Sequence, residues 1–302
     1  MKQLKNIALL ILLLATGRGV VAQETLDFDK AYAFAQGGQF DSAQVYISRY
    51  VKSAAAASDA SGWYLYGFIH QRLYRMQEMS NPLSPMRLEA KKGFMKSFEL
   101  DKSAENRSRN REGFCSLSLS FYNSAVQTLN PVNYQLSVTN FNWYKEVVVF
   151  CDTNINLKGK EIEFNLALAT MFEDTLARSK NKDTASFYKA RDAYMRVLQI
   201  DPVNIKANYN IGVLYHNFAV NLIMNTSPDE DLGVWIKTQE EADVLFKKAL
   251  PFGEFGLNLP DSDPKKLEYL NLLYQIYNNI YDTEKATKFK QMIDTLEKNG
   301  GK

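Results

Sequence analysis

Apolar residues recur along this chain in steps of three and four, with charged and amide side chains between them. The first stretch begins at Phe28 and runs through Ala31 and Phe34. After Gly37-Gly38-Gln39-Phe40 it resumes at Ala43, Ile47 and Tyr50. Further on, Val234, Ala242, Leu245, Phe246, Ala249 and Leu250 form an apolar stripe in a segment otherwise rich in Lys and Glu. Near the C-terminus, Leu267, Leu270, Leu273, Tyr274 and Tyr277 are followed by Ala286, Phe289, Ile293 and Leu296. This is the 3.6-residue period of amphipathic helices, and no strand-like alternation of comparable length competes with it. The run Val147-Val-Val-Phe150 also suits a buried strand, but its setting after Trp143-Tyr144-Lys145-Glu146 favours helix. Between the helical stretches stand punctuating clusters: Asn81-Pro82-Leu-Ser-Pro85, Lys180-Asn-Lys-Asp183 and Asn225-Thr-Ser-Pro228.

One phrase recurs within this pattern. Tyr209-Asn-Ile211-Gly212-Val-Leu-Tyr215 precedes Ala242-x3-Phe246-x2-Ala249. Trp63-x2-Tyr66-Gly67-x2-His70 precedes Ala90-x3-Phe94-x2-Ser97. Glycine inside a helix costs about 1 kcal/mol relative to alanine, so its return in one context indicates close helix packing. Leu117-Ser118-x2-Phe121-Tyr122-Asn123 aligns with Ile211-Gly212-x2-Tyr215-His216-Asn217. Leu168-Ala169-x2-Phe172 with Ala190-x3-Tyr194-x2-Val197 makes another unit, closed by Asp201-Pro202. The grammar resembles the tetratricopeptide repeat (TPR).

The resemblance covers roughly residues 28–296. It implies an all-α superhelix, a solenoid of about five to six antiparallel helix pairs ended by a polar C-terminal capping helix. The phase residues Ala31, Gly67, Ser118, Ala169 and Gly212 are spaced by 36, 51, 51 and 43 residues. The usual TPR period is about 34. Either the helices or the loops between them are therefore lengthened, with the greatest irregularity expected around 101–160.

The N-terminus changes the picture of where such a chain works. Lys2 and Lys5 precede the apolar run Ile7–Ala15, and Val20-Val21-Ala22 offers small residues before Gln23. Residues 1–22 read as a secretory leader, leaving 23–302 as one helical repeat domain. The run is too short for a membrane span, and no cysteine follows it to carry a lipid anchor. Export to the periplasm of a Gram-negative bacterium is the expectation, with secretion or outer-membrane association as alternatives. Of the 36 basic residues, three lie in the leader, so the remainder carries 33 against 34 acidic ones. A near-neutral chain has no bulk field for nucleic acid or an anionic membrane. The locally basic segment Lys102–Glu112 reads as a solvated inter-repeat loop and helix start.

Candidate chemistry is sparse. Cys115 and Cys151 both lie in apolar helical contexts, so buried free thiols are the plain reading and a single disulfide the alternative. There is no His-Glu-x-x-His, Cys-x-x-Cys or Gly-x-Ser-x-Gly arrangement, so neither a metal site, a cofactor nor an enzyme is indicated. His70 takes a slot filled by Phe or Tyr in sister repeats and is expected in the core. His216 is expected to face outward. Asp229-Glu230-Asp231 reads as an exposed loop and helix cap.

Aromatic content is high, with 17 Tyr and 18 Phe, more than the core slots use. In the TPR family the first helix of each pair lines a concave surface that holds partners. Projected onto this chain, that resemblance implies Tyr64, Phe68, Arg72, Tyr122, Asn123, Tyr209, His216 and Asn217 as groove residues. The expected function is a non-enzymatic adaptor or scaffold for a protein or peptide in that groove. The alternative is a helical repeat protein for a glycan or small ligand.

Overall fold

The structure is a computed structural model that describes residues 26–180 and 182–300. The leader assigned to residues 1–22 lies outside the described residues. All regular structure among the described residues is helical. The contacts divide the described residues into two compact units, the first running to residue 155 and the second from residue 156, with 130–132 grouped with the second.

Unit 1 contains α1 (26–36), α2 (Phe40–Tyr50), α3 (Ala60–Leu73), α4 (Pro85–Leu100), α5 (Ala104–Cys115), α6 (Ser118–Gln127) and α7 (Tyr134–Cys151). Local chemistry sets the boundaries. Asp59 caps α3 by accepting from the amides of Ser61 and Gly62, and Ser84 caps α4 with Pro85 in its first turn. Neighbouring helices are antiparallel. Ser97 near the end of α4 donates to the Ala60 carbonyl at the start of α3 (2.6 Å), and Tyr66 donates to Glu89 (2.6 Å). Likewise Ser137 on α7 donates to the Ala125 carbonyl on α6 (2.6 Å).

Helices α5 and α6 are separated by only Ser116 and Leu117, and both pack on α7. They behave as one first helix interrupted by a short turn. Its fully buried hinge residue Leu117 joins Phe94, Phe114, Phe121 and Val147 in one core cluster. The Val147–Phe150 run is helical, as its surroundings suggested. Cys115 and Cys151 are joined by a disulfide that ties the C-terminal end of α5 to that of α7. The reading of two buried free thiols is therefore corrected. Periodicity places each cysteine on its own helix but carries no information about which helix ends meet.

Arg87 is fully buried on α4. Its guanidinium donates to the Ser120 carbonyl (2.8 Å), Ser124 (2.8 Å), the Pro82 carbonyl (2.8 Å) and Asn140 (2.9 Å), and lies 4.3 Å from the Phe121 ring centre. One side chain thereby ties α4 to α6 and α7.

Unit 2 contains α8 (Lys158–Arg178), α9 (Thr184–Ile200), α10 (Ile205–Met224), α11 (Leu232–Phe255), α12 (Lys266–Asn279) and α13 (Thr283–Gly300). Here the extra repeat length resides in the helices: α8, α10 and α11 are 21, 20 and 24 residues long. Asp231 caps α11 through the Gly233 amide (2.7 Å), as the acidic cluster suggested. The α11 stripe is shorter than its sequence implied. Val234 is 44% exposed, together with Leu232 and Ile236, and burial begins only at Ala242. The first turns of α11 thus lie outside the core. Helix α13 lays Ala286, Phe289 and Ile293 against Leu270, Leu273 and Tyr277 of α12 and turns its Lys- and Glu-rich face outward, closing the stack.

Both recurrent glycines sit at helix crossings. A Cβ on Gly67 would stand 2.9 Å from the Phe94 backbone nitrogen, and one on Gly212 would stand 2.8 Å from a Leu272 methyl. Alternating antiparallel pairs with small residues at their crossings make the fold TPR-like.

Candidate functional site

A well-formed concavity lies in unit 1. It is a cleft of about 520 Å3 where α1, α3 and α5 come together, with the end of α4 at its margin. Its aromatic walls are Phe28 and Tyr32 on α1 and Tyr64 and Phe68 on α3. Each pair is spaced by four residues, one helical turn, so the two rings of a pair rise along one face. Phe28 stacks on Tyr32 (6.5 Å, 7°) and Tyr64 on Phe68 (6.4 Å, 17°). Three of the four rings have a further packed neighbour. Phe94 packs against Tyr64 (5.9 Å), Tyr50 against Phe28 (5.3 Å), and the Arg72 guanidinium lies over Phe68 (5.0 Å). Tyr32 is 50% exposed.

The polar residues of the cleft are Gln36, Ser61, Ser97, Asp101, Arg109 and Asn110. Ser97 is committed to the Ala60 carbonyl. Asn110 is different. It is only 2% exposed, and its carboxamide oxygen has no hydrogen-bond partner among the described residues. A buried polar atom left unpaired costs about 1–3 kcal/mol. Burial pushes the Tyr64 hydroxyl above the ordinary tyrosine range, with Arg109 opposing that shift, so the hydroxyl is neutral at physiological pH.

The eight groove residues expected from the sequence divide as follows. Tyr64 and Phe68 line the cleft, and Arg72 is exposed one turn further on, against Phe68. Tyr122, also in unit 1, packs on Tyr144 (5.1 Å), and Asn123 beside it is exposed. In unit 2, Tyr209 packs edge-on against Tyr269 (5.3 Å) under the Lys265 ammonium (5.1 Å). Asn217 is exposed.

His216 departs from expectation: it is 7% exposed rather than on the surface. The Phe246 ring of α11 lies 5.5 Å away, and Asn279 at the end of α12 meets its Nε2 (3.1 Å). Helix α12 is a third neighbour that the pair alignment does not include. Burial lowers the His216 pKa, against a bond to Asn217 that raises it. His70 is buried as expected, with Nδ1 on the Tyr66 carbonyl (2.8 Å), and burial lowers its pKa too.

Among the cleft residues outside the expected eight are Phe28, Tyr32, Arg109 and Asn110. Phe28 and Tyr32 sit on the first helix of the first pair, and the four-residue aromatic step was visible there. Arg109 and Asn110 fell in the basic segment read as solvated loop and helix start. That segment is largely α5, and Asn110 faces inward from it.

Unit 2 holds a smaller hollow of about 260 Å3 lined by Gln239, Glu240, Asp243, Phe246, Asn279 and Tyr281. Its one strongly shifted carboxyl is elsewhere. Glu173 is pushed up to about 7 by burial, while the Tyr194 hydroxyl donates to it (2.6 Å) and accepts from Asn210 (2.8 Å). Among the described residues no cluster of three or more His, Cys, Asp or Glu is placed to hold a metal. Nor is any helix there long and apolar enough to cross a membrane.

No protein-family model matches this chain, and no curated protein matches it. Among solved structures it is similar to a TPR repeats protein from Bacteroides fragilis, at 13% identity and a TM-score of 0.35, covering 91% of this chain and 97% of that one.

Proposed function

We propose that this protein is an exported, non-enzymatic interaction module that holds a protein or peptide segment against the first helices of its repeats. The observation that carries the reading is the unit 1 cleft, walled by first-helix aromatics and floored by an unsatisfied amide. A pre-formed concavity of a few hundred Å3 with few polar groups is how ligand sites are generally built. The two histidines support a binding role over a catalytic one. Both are packed, hydrogen-bonded and pushed by burial toward the neutral form. The raised carboxyl of Glu173 is likewise engaged by a core tyrosine. The basic n-region, short apolar run and small-residue cut site support export, and the near-neutral remainder supports a partner other than nucleic acid.

Two measurements test this. N-terminal sequencing of the protein isolated from its native envelope should start at Gln23; an intact Met1 start contradicts removal of the leader, and recovery of the chain only from the cytoplasmic fraction contradicts export. A photo-crosslinking amino acid at Tyr32, and separately at Asn217, should yield a discrete protein adduct in the cell from at least one position. Absence of adducts from both, with the protein folded and expressed, overturns the interaction role.

A further inference from the structure

We infer that the occupant of the α1/α3/α5 cleft is an extended, uncharged peptide segment. It would lodge one aromatic or long aliphatic side chain between the Phe28/Tyr32 and Tyr64/Phe68 walls and pair a main-chain amide with Asn110. This rests on the interaction reading above and names the site and chemistry of the partner.

Three features of the cleft select that ligand. First, the orphaned atom is the oxygen of a carboxamide. The group's oxygen accepts, its nitrogen donates, and a turn about the last torsion exchanges the two. A main-chain peptide unit offers the complementary pair, whereas a hydrocarbon offers neither. Second, three of the four wall rings already carry a packed neighbour: Tyr50 beside Phe28, Phe94 beside Tyr64 and Arg72 over Phe68. Sugars are recognised on broad open aromatic faces, and here only Tyr32 is substantially exposed among the wall rings. The space between the two walls suits an inserted apolar side chain, and an aromatic one can meet the rings in the tilted geometry such pairs prefer. Third, the margin carries one carboxylate, Asp101, and one guanidinium, Arg109, so no single-sign field favours an ionic ligand. The volume of about 520 Å3 accommodates a few residues of extended chain.

The position of Asn110 also argues against a role in stability. A leucine there has the same branching, and though larger it has the cleft beside it to take the difference; it would pair with the aromatic walls and remove an unsatisfied oxygen. The chain therefore keeps an amide where an apolar residue would serve the fold better.

The test uses the full secreted chain and three probes followed by NMR: N-acetylphenylalanine N-methylamide, N-acetylglycine N-methylamide and maltose. The phenylalanine compound should shift the Asn110 side-chain amide together with Tyr32 and Tyr64, and bind about tenfold more tightly than the glycine compound. Asn110→Leu should weaken it about tenfold while leaving the melting temperature equal or higher. Tyr32→Ser, at a half-exposed position that leaves the core intact, should weaken it severalfold. The inference is overturned if the phenylalanine compound causes no shift at these residues, if maltose binds there as well or better, or if Asn110→Leu lowers the melting temperature. Crosslinked adducts from Asn217 but not from Tyr32 would overturn this cleft assignment and leave the interaction role standing. Adducts from neither would remove both.

Discussion

The same glycine-bearing phrase builds a helix crossing in each unit, and the two crossings are not alike. In unit 1, Gly67 of α3 faces Gly93 of α4. A Cβ on Gly93 would lie 2.5 Å from the Gly67 nitrogen and 2.6 Å from its Cα, so main chain meets main chain. In unit 2, a Cβ on Gly212 first meets a methyl of Leu272 from α12, with the Gly253 nitrogen 3.6 Å away. The first contact cannot yield without moving a helix; the second involves the tip of a flexible side chain. Other ties follow the same contrast. Unit 1 is fastened by the disulfide and by buried Arg87, whereas unit 2 relies on the smaller hydrogen-bonded links Glu173–Tyr194–Asn210 and His216–Asn279. One repeat grammar thus supports a rigid cleft-bearing unit and a softer stack.

The largest test of that contrast is removal of the disulfide. Its cysteines are 36 residues apart in sequence, and closing a loop of that size is worth about 3–4 kcal/mol in the chain-entropy account. Cys115→Ser with Cys151→Ser should lower the stability of unit 1 by about that amount. Native-state hydrogen exchange should show the loss in α5 and α7 and leave α10–α12 unchanged. A loss shared equally by both units would break the distinction.

Gly93→Ala comes next. Alanine gains about 1 kcal/mol of helix propensity, yet its methyl has no room against main chain, and overpacking costs about 1–3 kcal/mol or more. A net loss of about 2 kcal/mol is expected by denaturant unfolding. Gly212→Ala should be within about 1 kcal/mol of the parent, because Leu272 can change rotamer. Equal effects at the two positions would mean that the crossings are equivalent after all.

These contrasts show how far the sequence could be read. The helix pairs and their inward residues follow from periodicity, a local property, and Ala43, Ile47, Phe94, Ala190 and Phe246 are all buried where the stripes put them. Gly67 and Gly212 looked identical because the pattern records a need for smallness and not the atom that imposes it. His216 was misplaced for a related reason: the residue that covers it, Asn279, is 63 positions away on a helix outside its pair. The first turns of α11 carry the right period but lack a neighbour to bury them. In the cleft, Tyr64 and Phe68 were legible from their slots. Asn110 was hidden between arginines, where composition suggested solvent, and only its tertiary setting reveals an unpaired amide.

The smallest effect concerns the soft links of unit 2 and is seen in a difference between two proteins. Burial raises Glu173 to about 7 from its ordinary 4.5, so between those values the folded chain holds a proton that the unfolded chain has released. Stability from this group is therefore intact below pH 4.5 and declines as pH rises toward 7. His216 acts oppositely: burial lowers its pKa, so the unfolded chain takes the proton first and stability falls as pH drops below 6.5. In the wild type the two trends offset each other and obscure both. Glu173→Gln keeps the acceptor for Tyr194 and leaves His216 untouched, so subtracting the two stability curves isolates the carboxyl. The variant should gain on the wild type steadily from pH 4.5 to 7 and then level off, by about 1 kcal/mol after allowance for solvent at this half-buried site. A difference that stays flat with pH would mean that Glu173 is ionised at no cost. The Glu173–Tyr194–Asn210 link would then be a surface feature and not part of what holds α8, α9 and α10 together.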